Sequence, residues 1–230
     1  MTTPIPATPM DVVIFGLGLA SELAAFLLIH DSPYRPVGFT VHERFVSTPE
    51  LNGLPAQRFE DLERVYPPER YALLAPLAWR RMGDLRADVV SEGRARRYRF
   101  VTYVFSRSLI WPGFSEGENT MVCDGVVVQP FARIGENFYV RPGVVLSRHV
   151  ALGDHCFVAA GATVGGRAQI GSNCVLGLNS TVVSGVRVAP RCFIAAGAVV
   201  TADTRPGGLC RGNPARRSRV TVAQIDAFAS

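Results

Sequence analysis

Residues 122–200 read VCDGVVVQPFARIGENFYVRPGVVLSRHVALGDHCFVAAGATVGGRAQIGSNCVLGLNSTVVSGVRVAPRCFIAAGAVV. An aliphatic residue stands at every sixth position: Val122, Val128, Ile134, Val140, Leu146, Leu152, Val158, Val164, Ile170, Leu176, Val182, Val188, Ile194 and Val200. Four residues after these come small or apolar side chains, among them Ala132, Val144, Cys156, Ala162, Ala168, Cys174, Ser180 and Cys192. A period of six belongs neither to a helix nor to a simple strand. It is the signature of a parallel β-helix, in which each hexad is one flat face of a triangular prism and three hexads make a coil. Gly135, Gly153, Gly171 and Gly177 follow inward residues, where a corner is expected to need a backbone conformation that a side chain would obstruct. Cys156, Cys174 and Cys192 recur one coil apart. They are expected to form a buried column as small hydrophobes rather than a redox or metal ladder.

Outward from this stretch the rhythm changes. Asp11–Phe15 is a short apolar run, followed by Gly16, Gly18 and the helix-like Ser21–His30. Further strands are expected at Val37–Val41, Tyr71–Pro76 and Arg99–Tyr103, with helices at Phe59–Val65 and Trp79–Gly93. The alternation argues for a small Rossmann-like parallel α/β domain. The expected organisation is that domain at 1–108, a linker at 109–118, the β-helix at 119–205 and a tail at 206–230.

The chain has 230 residues, 24 basic side chains, all arginine, and a net charge of +5. The absence of lysine excludes a Schiff-base mechanism and leaves histidine as the proton carrier near neutral pH. The positive charge lies mostly in the second half and favours phosphate-bearing small molecules. No basic run is interleaved with aromatics, so no nucleic acid partner is expected. No stretch reaches a membrane span and the start lacks a signal peptide. Five cysteines with no CxxC pair suit a cytoplasmic location.

The segments IGSNCVLGLNS at 170–180, IAAGAVV at 194–200 and RGNPARR at 211–217, with FGLGLASE at 15–22 and VGFTV at 37–41, resemble the sugar acyltransferases of the NeuD/PglD type. The resemblance implies a left-handed parallel β-helix, a homotrimer, and acetyl-CoA lying in the groove between neighbouring copies. It implies transfer of an acetyl group to an amine or hydroxyl of a sugar, usually nucleotide-linked, without a metal. Matched residue by residue, the CoA-contacting positions fall on Phe157, Gly166, Leu178 and Ala196. The nucleotide-contacting turn falls on Gly18, Leu19 and Ala20, to which Gly16 is added as a sugar-nucleotide contact. Asn179 matches a position near the acceptor. The family's catalytic histidine aligns with Arg148, and His149 follows it. Where the family carries an acidic pair after the second strand, this chain has Val41, His42 and Glu43.

Acyl transfer from a thioester needs a base for the acceptor's proton and a donor for the developing oxyanion. Of the four histidines, His149 and His155 lie in the β-helix. His149 projects outward between Leu146 and Val150 and is taken as the base, with Asp154 on the next face orienting it and His155 as the lesser candidate. Arg148 stays charged and is taken as an acceptor-binding residue. Two histidines are too few for the three zinc ligands of a β-helical carbonic anhydrase. The alternatives are acylation of a non-sugar amine or alcohol, or binding of acyl-CoA or a nucleotide sugar without turnover. The N-terminal domain is not expected to be needed for trimerisation, so residues from Glu118 onward should trimerise alone.

Overall fold

The computed structural model describes residues 9–114, 117–222 and 224. The first eight residues and the end of the expected tail, 225–230, lie outside them.

The N-terminal unit runs β1 (Met10–Phe15), α1 (Leu19–Asp31), β2 (Tyr34–Val41), β3 (Glu50–Leu51), β4 (Leu54–Arg58), α2 (Leu62–Val65), β5 (Ala72–Leu74) and α3 (Asp84–Ala95). The sheet order is β3-β4-β2-β1-β5, parallel except for the β3–β4 hairpin. Val12 to Phe15 are buried, as a strand covered on both faces requires. The hairpin was not foreseen. Its turn is Asn52-Gly53 at φ +50° and +76°, the pair that a tight two-residue hairpin favours. Of the strand expected at Arg99–Tyr103, only Phe100 bridges to Leu73. Tyr103–Val104 already pairs with Met121–Val122, and Leu109–Ile110 with Val127–Val128. The left-handed β-helix therefore opens at Tyr103, ahead of the expected start at 119, and the expected linker falls inside its incomplete first coil.

Three sheets form the prism. One carries strands at 103–104, 121–122, 139–140, 157–158, 175–176, 193–194 and 209–211, with an antiparallel strand at 216–217 closing the end. Its outward residues Met121, Tyr139, Phe157 and Val175 are buried in one cluster with Val12, Ile14, Ala24 and Leu28, so the N-terminal unit covers this face. The second sheet, 109–110 to 199–200, turns Val127, Val145, Thr163, Thr181 and Val199 outward, each partly exposed. The third, 133–134 to 187–188, exposes Arg133, Ala151, Gln169 and Arg187. The aliphatic residues of the six-residue period point inward and form a single core.

Cys156, Cys174 and Cys192 are fully buried in that core. The Cys156 thiol donates to Gly171 O at 3.2 Å and the Cys174 thiol to Ala189 O at 3.3 Å. Burial raises the Cys192 thiol. The Cys156 side chain and burial raise the Cys174 thiol as well, and the column is packing. The corner glycines need a different explanation from the expected one. None of Gly135, Gly153, Gly171 or Gly177 has positive φ. A Cβ on Gly171 would instead sit 2.6 Å from Pro190 N, and one on Gly177 2.7 Å from Ala196 N. These glycines admit the close approach of the next coil. No helix among the described residues is long and apolar enough to cross a membrane.

Candidate active site

Each corner of the prism holds a column of residues with left-handed φ, one per coil. The first is Asn119, Asn137, His155, Asn173 and Arg191; the second Gly113, Phe131, His149, Arg167 and Gly185; the third Gly125, Gly143, Gly161, Asn179 and Gly197. The environment of each column decides what its side chains can do.

The first column is welded to α3. The Arg86 side chain is buried and donates seven hydrogen bonds, to Leu77 O, Ala78 O, Asn137 O (from two nitrogens), Asn137 Oδ1, His155 O and Cys156 O. Among the described residues no carboxylate meets it, and burial pushes its guanidinium down to about 10. Arg191 holds Asp84 at 2.8 Å, and Arg94 pairs with Glu118 and Glu136. These hydrogen bonds hold the Asp84 and Glu136 carboxyls below the usual range. Asn137 Oδ1 accepts from Asn119 Nδ2 and Arg86 Nε. Its Nδ2 is left to donate to His155 Nδ1 at 3.0 Å, so His155 presents an acceptor there and is neutral. Burial also pushes His155 down. His155 is thus a structural histidine of the interdomain weld.

The second column is open. His149 and Arg148 are both exposed. The His149 ring rests on Phe131, centroids 4.7 Å apart and tilted by 37°. The Arg148 N–H donates to Gln129 Oε1 at 3.0 Å. One coil on, Gly166 lies beneath the Arg148 side chain: a Cβ there would sit 3.6 Å from Arg148 Cγ. The neighbouring Arg167 N–H donates to Arg148 O at 3.0 Å. Among the described residues no acceptor is found for the Gly166 N–H, which leaves a half-buried backbone donor one coil from His149.

Asp154 does not join them. It occupies the first corner, a whole face away beyond Ala151–Leu152, where its Oδ1 accepts the Glu136 N–H at 2.9 Å. A hexad spacing carries a residue to the next corner, not to the next turn of the same one. The residues matched to CoA contacts also separate. Gly166 is on the second corner, Leu178 and Ala196 on the third, and Phe157 is buried under the N-terminal unit with its ring edge-on to Tyr139. Asn179 is exposed on the third corner, its Oδ1 lying where a Cβ of Gly161 would be.

At the N-terminal turn, Gly16 is closed to ligands. Its N–H donates to Thr40 O at 2.7 Å, and the space of its missing Cβ holds Ser21 Oγ, which donates to Phe15 O. Gly18 and Leu19 are exposed, and among the described residues the Leu19 and Ala20 N–H groups have no acceptor. Grooves flank the β-helix. One of about 600 Å³ runs along the third sheet by Gln169, Arg187 and Asp203, and one of about 430 Å³ lies at the end by Arg205, Arg216 and Arg217. Neither includes His149. Sequence reasoning missed Arg86, Phe131 and Arg167; the last two stand one coil from His149, a spacing the repeat already contained. No group of three or more His, Cys, Asp or Glu side chains able to hold a metal occurs among the described residues.

Residues 131–166 match the family model described as bacterial transferase hexapeptide (six repeats), and residues 167–202 that described as hexapeptide repeat of succinyl-transferase. No curated protein matches the sequence. Among solved structures, the acetyltransferase domain of PglB from Neisseria gonorrhoeae FA1090 superposes with a TM-score of 0.81 at 19% identity, covering 90% of this chain and 99% of that one. A histidine-to-asparagine mutant of perosamine N-acetyltransferase from Caulobacter crescentus, in complex with CoA and GDP-perosamine, gives 0.82 at 21% identity over 90% and 96%. WeeI from Acinetobacter baumannii AYE gives 0.53 at 17% over 92% and 100%. At these identities the likeness is one of fold.

Proposed function

We propose that this chain is an acetyl-CoA-dependent acetyltransferase acting on an amine or hydroxyl of a nucleotide-linked sugar. The observation that carries the reading is the exposed His149 on an open corner, beside the unpaired Gly166 N–H. Hexapeptide repeats matching transferase models support it. So do fold neighbours whose structures hold acetyl-CoA, or CoA with GDP-perosamine.

In this reading His149 takes the proton from the acceptor as its nitrogen or oxygen attacks the thioester carbonyl, and Phe131 backs the ring. The Gly166 N–H donates to the oxygen of the tetrahedral intermediate, whose collapse forms the new amide or ester and releases CoA thiolate. His149 then returns the proton to the sulfur. The open turn at Gly18, Leu19 and Ala20 receives the nucleotide phosphates at a helix N-terminus. Gly16 serves that turn by packing.

The protein works as a homotrimer. Leu109, Trp111, Phe131, Leu178 and Val183 are the exposed large apolar side chains on the second sheet and its two corners, an apolar concentration that marks an interface. Closing that sheet against a second copy sets Leu178 and Ala196 of one corner facing Gly166 of another, which forms the groove for pantetheine. The buried, unpaired cysteines fit a cytoplasmic setting.

The test is thiol release from acetyl-CoA across a panel of nucleotide amino sugars. His149→Ala is expected to lower kcat by about two to four decades with acetyl-CoA affinity retained. Full activity in that variant removes His149 from the chemistry. Binding of acetyl-CoA by the wild-type protein with no acceptor turned over would replace the enzyme with a binding protein.

A further inference from the structure

We infer that the sugar of the acceptor carries an anionic group of its own, a carboxylate or phosphate, held by Arg148 and Arg167 beside His149. This rests on the acetyltransferase reading and names the acceptor's chemical class.

Arg148 precedes His149, and Arg167 follows it one coil later on the same column, at roughly the 4.8 Å spacing of neighbouring strands. Both arginines are exposed. Neither has an ion-pair partner among the described residues. The described residues of the corner, 111–114, 129–132, 147–150, 165–168 and 183–186, include no carboxylate. Asp203 lies beyond Gly185, where its Oδ1 accepts the Arg187 N–H at 2.8 Å. Glu136 is held by Arg94 and Asp154 by the Glu136 N–H, both on the first corner. At the first corner, by contrast, Arg94 and Arg191 are each matched to carboxylates.

An acceptor anion beside the two exposed guanidiniums meets charge that nothing among the described residues of this corner neutralises. Guanidinium geometry suits carboxylate and phosphate through paired N–H donors. A neutral amino sugar offers nothing to either arginine.

The full-length protein, with acetyl-CoA, is assayed by thiol release with glucosamine, glucosamine 6-phosphate and 2-amino-2-deoxyglucuronate, which share an amine and differ in charge. The acidic sugars are expected to have kcat/KM at least tenfold above glucosamine. Arg167→Ala should raise their KM about tenfold and remove the preference, with KM for acetyl-CoA unchanged. Arg167→Glu should invert the preference, and Arg167→Lys should restore part of it. Arg133→Ala, which removes an equal charge from the third sheet, should leave the preference intact. A preference for glucosamine, or none in the wild type, overturns the proposal. So does a rise confined to the KM of acetyl-CoA, which would assign the arginines to CoA phosphates. If no free sugar is turned over, the panel of nucleotide amino sugars decides the acetyltransferase reading and equilibrium binding of the same three sugars decides the anion site. Arg167-dependent binding of the acidic pair upholds the anion site, and equal binding of all three overturns it.

Discussion

Replacing Arg86 by methionine keeps an unbranched apolar stem and removes every donor. Leu77 O, Ala78 O, Asn137 O and His155 O then lose the only donors found for them among the described residues, whereas Cys156 O keeps the Tyr139 N–H. At about 1 to 3 kcal/mol for each buried acceptor left unpaired, the loss is at least about 4 kcal/mol. The drop of the guanidinium from its ordinary 12.5 to about 10 corresponds to roughly 3 kcal/mol of desolvation, which methionine avoids. Four orphaned carbonyls together cost about 4 to 12 kcal/mol, and less that roughly 3 the net loss is about 1 to 9 kcal/mol, with a middle value of about 4 to 5. For a chain of this size about 4 kcal/mol lowers Tm by roughly 10 °C. Calorimetry should show that fall, and hydrogen exchange should show α3 losing protection before the β-helix does. Arg86→Lys, with a charge but fewer donors, should lie between. An Arg86→Met protein that melts within 2 °C of wild type, with α3 equally protected, would refute the argument that Arg86 holds the two units together.

Acid should loosen the same weld in two stages. His155 is pushed low, so the unfolded chain takes up protons first and stability declines as pH falls below about 6.5. Asp84 and Glu136 are also held low, by Arg191 and Arg94, so their contribution is complete above about pH 4 and is lost below it. Melting followed against pH should show both declines, the first missing in His155→Gln and the second weakened in Asp84→Asn. A chain beginning at Glu118 should aggregate rather than trimerise cleanly, because it bares Met121, Tyr139, Phe157 and Val175; a monodisperse trimer in light scattering would contradict this. Gly171→Ala should cost about 1 to 3 kcal/mol in chemical denaturation, since its Cβ would press on the Pro190 backbone.

The β-helix was legible because an inward aliphatic residue is demanded on every face, so the pattern survives any surface variation. The outward side of the same strands was not. Tyr139, Phe157 and Val175 alternate with the core residues and signal only that something apolar covers them. The β3–β4 hairpin carried its turn in Asn52-Gly53, but strands of two and five residues are too short for a period to register. His149 was found by its type and outward position. The pairing with Asp154 failed because closeness in sequence on a β-helix means the next corner, and the true neighbours, Phe131 and Arg167, are a full coil away. Nothing about a phenylalanine or an arginine advertises left-handed backbone, so their column appeared only with the dihedral angles.

The column that carries His149 is bounded by Gly113 and Gly185, with three side-chain-bearing coils between them. Because every coil has the same cross-section, the height of the imidazole along the axis is a separate variable from its surroundings within the coil. Exchanging the residues at 131, 149 and 167 would slide the imidazole up or down in steps of roughly 4.8 Å without altering the prism. The distance between that imidazole and the exposed turn of the N-terminal unit is therefore quantised. A chain built this way can be refitted to a longer or shorter acceptor by transposition of side chains alone, as one moves a peg along a drilled rail.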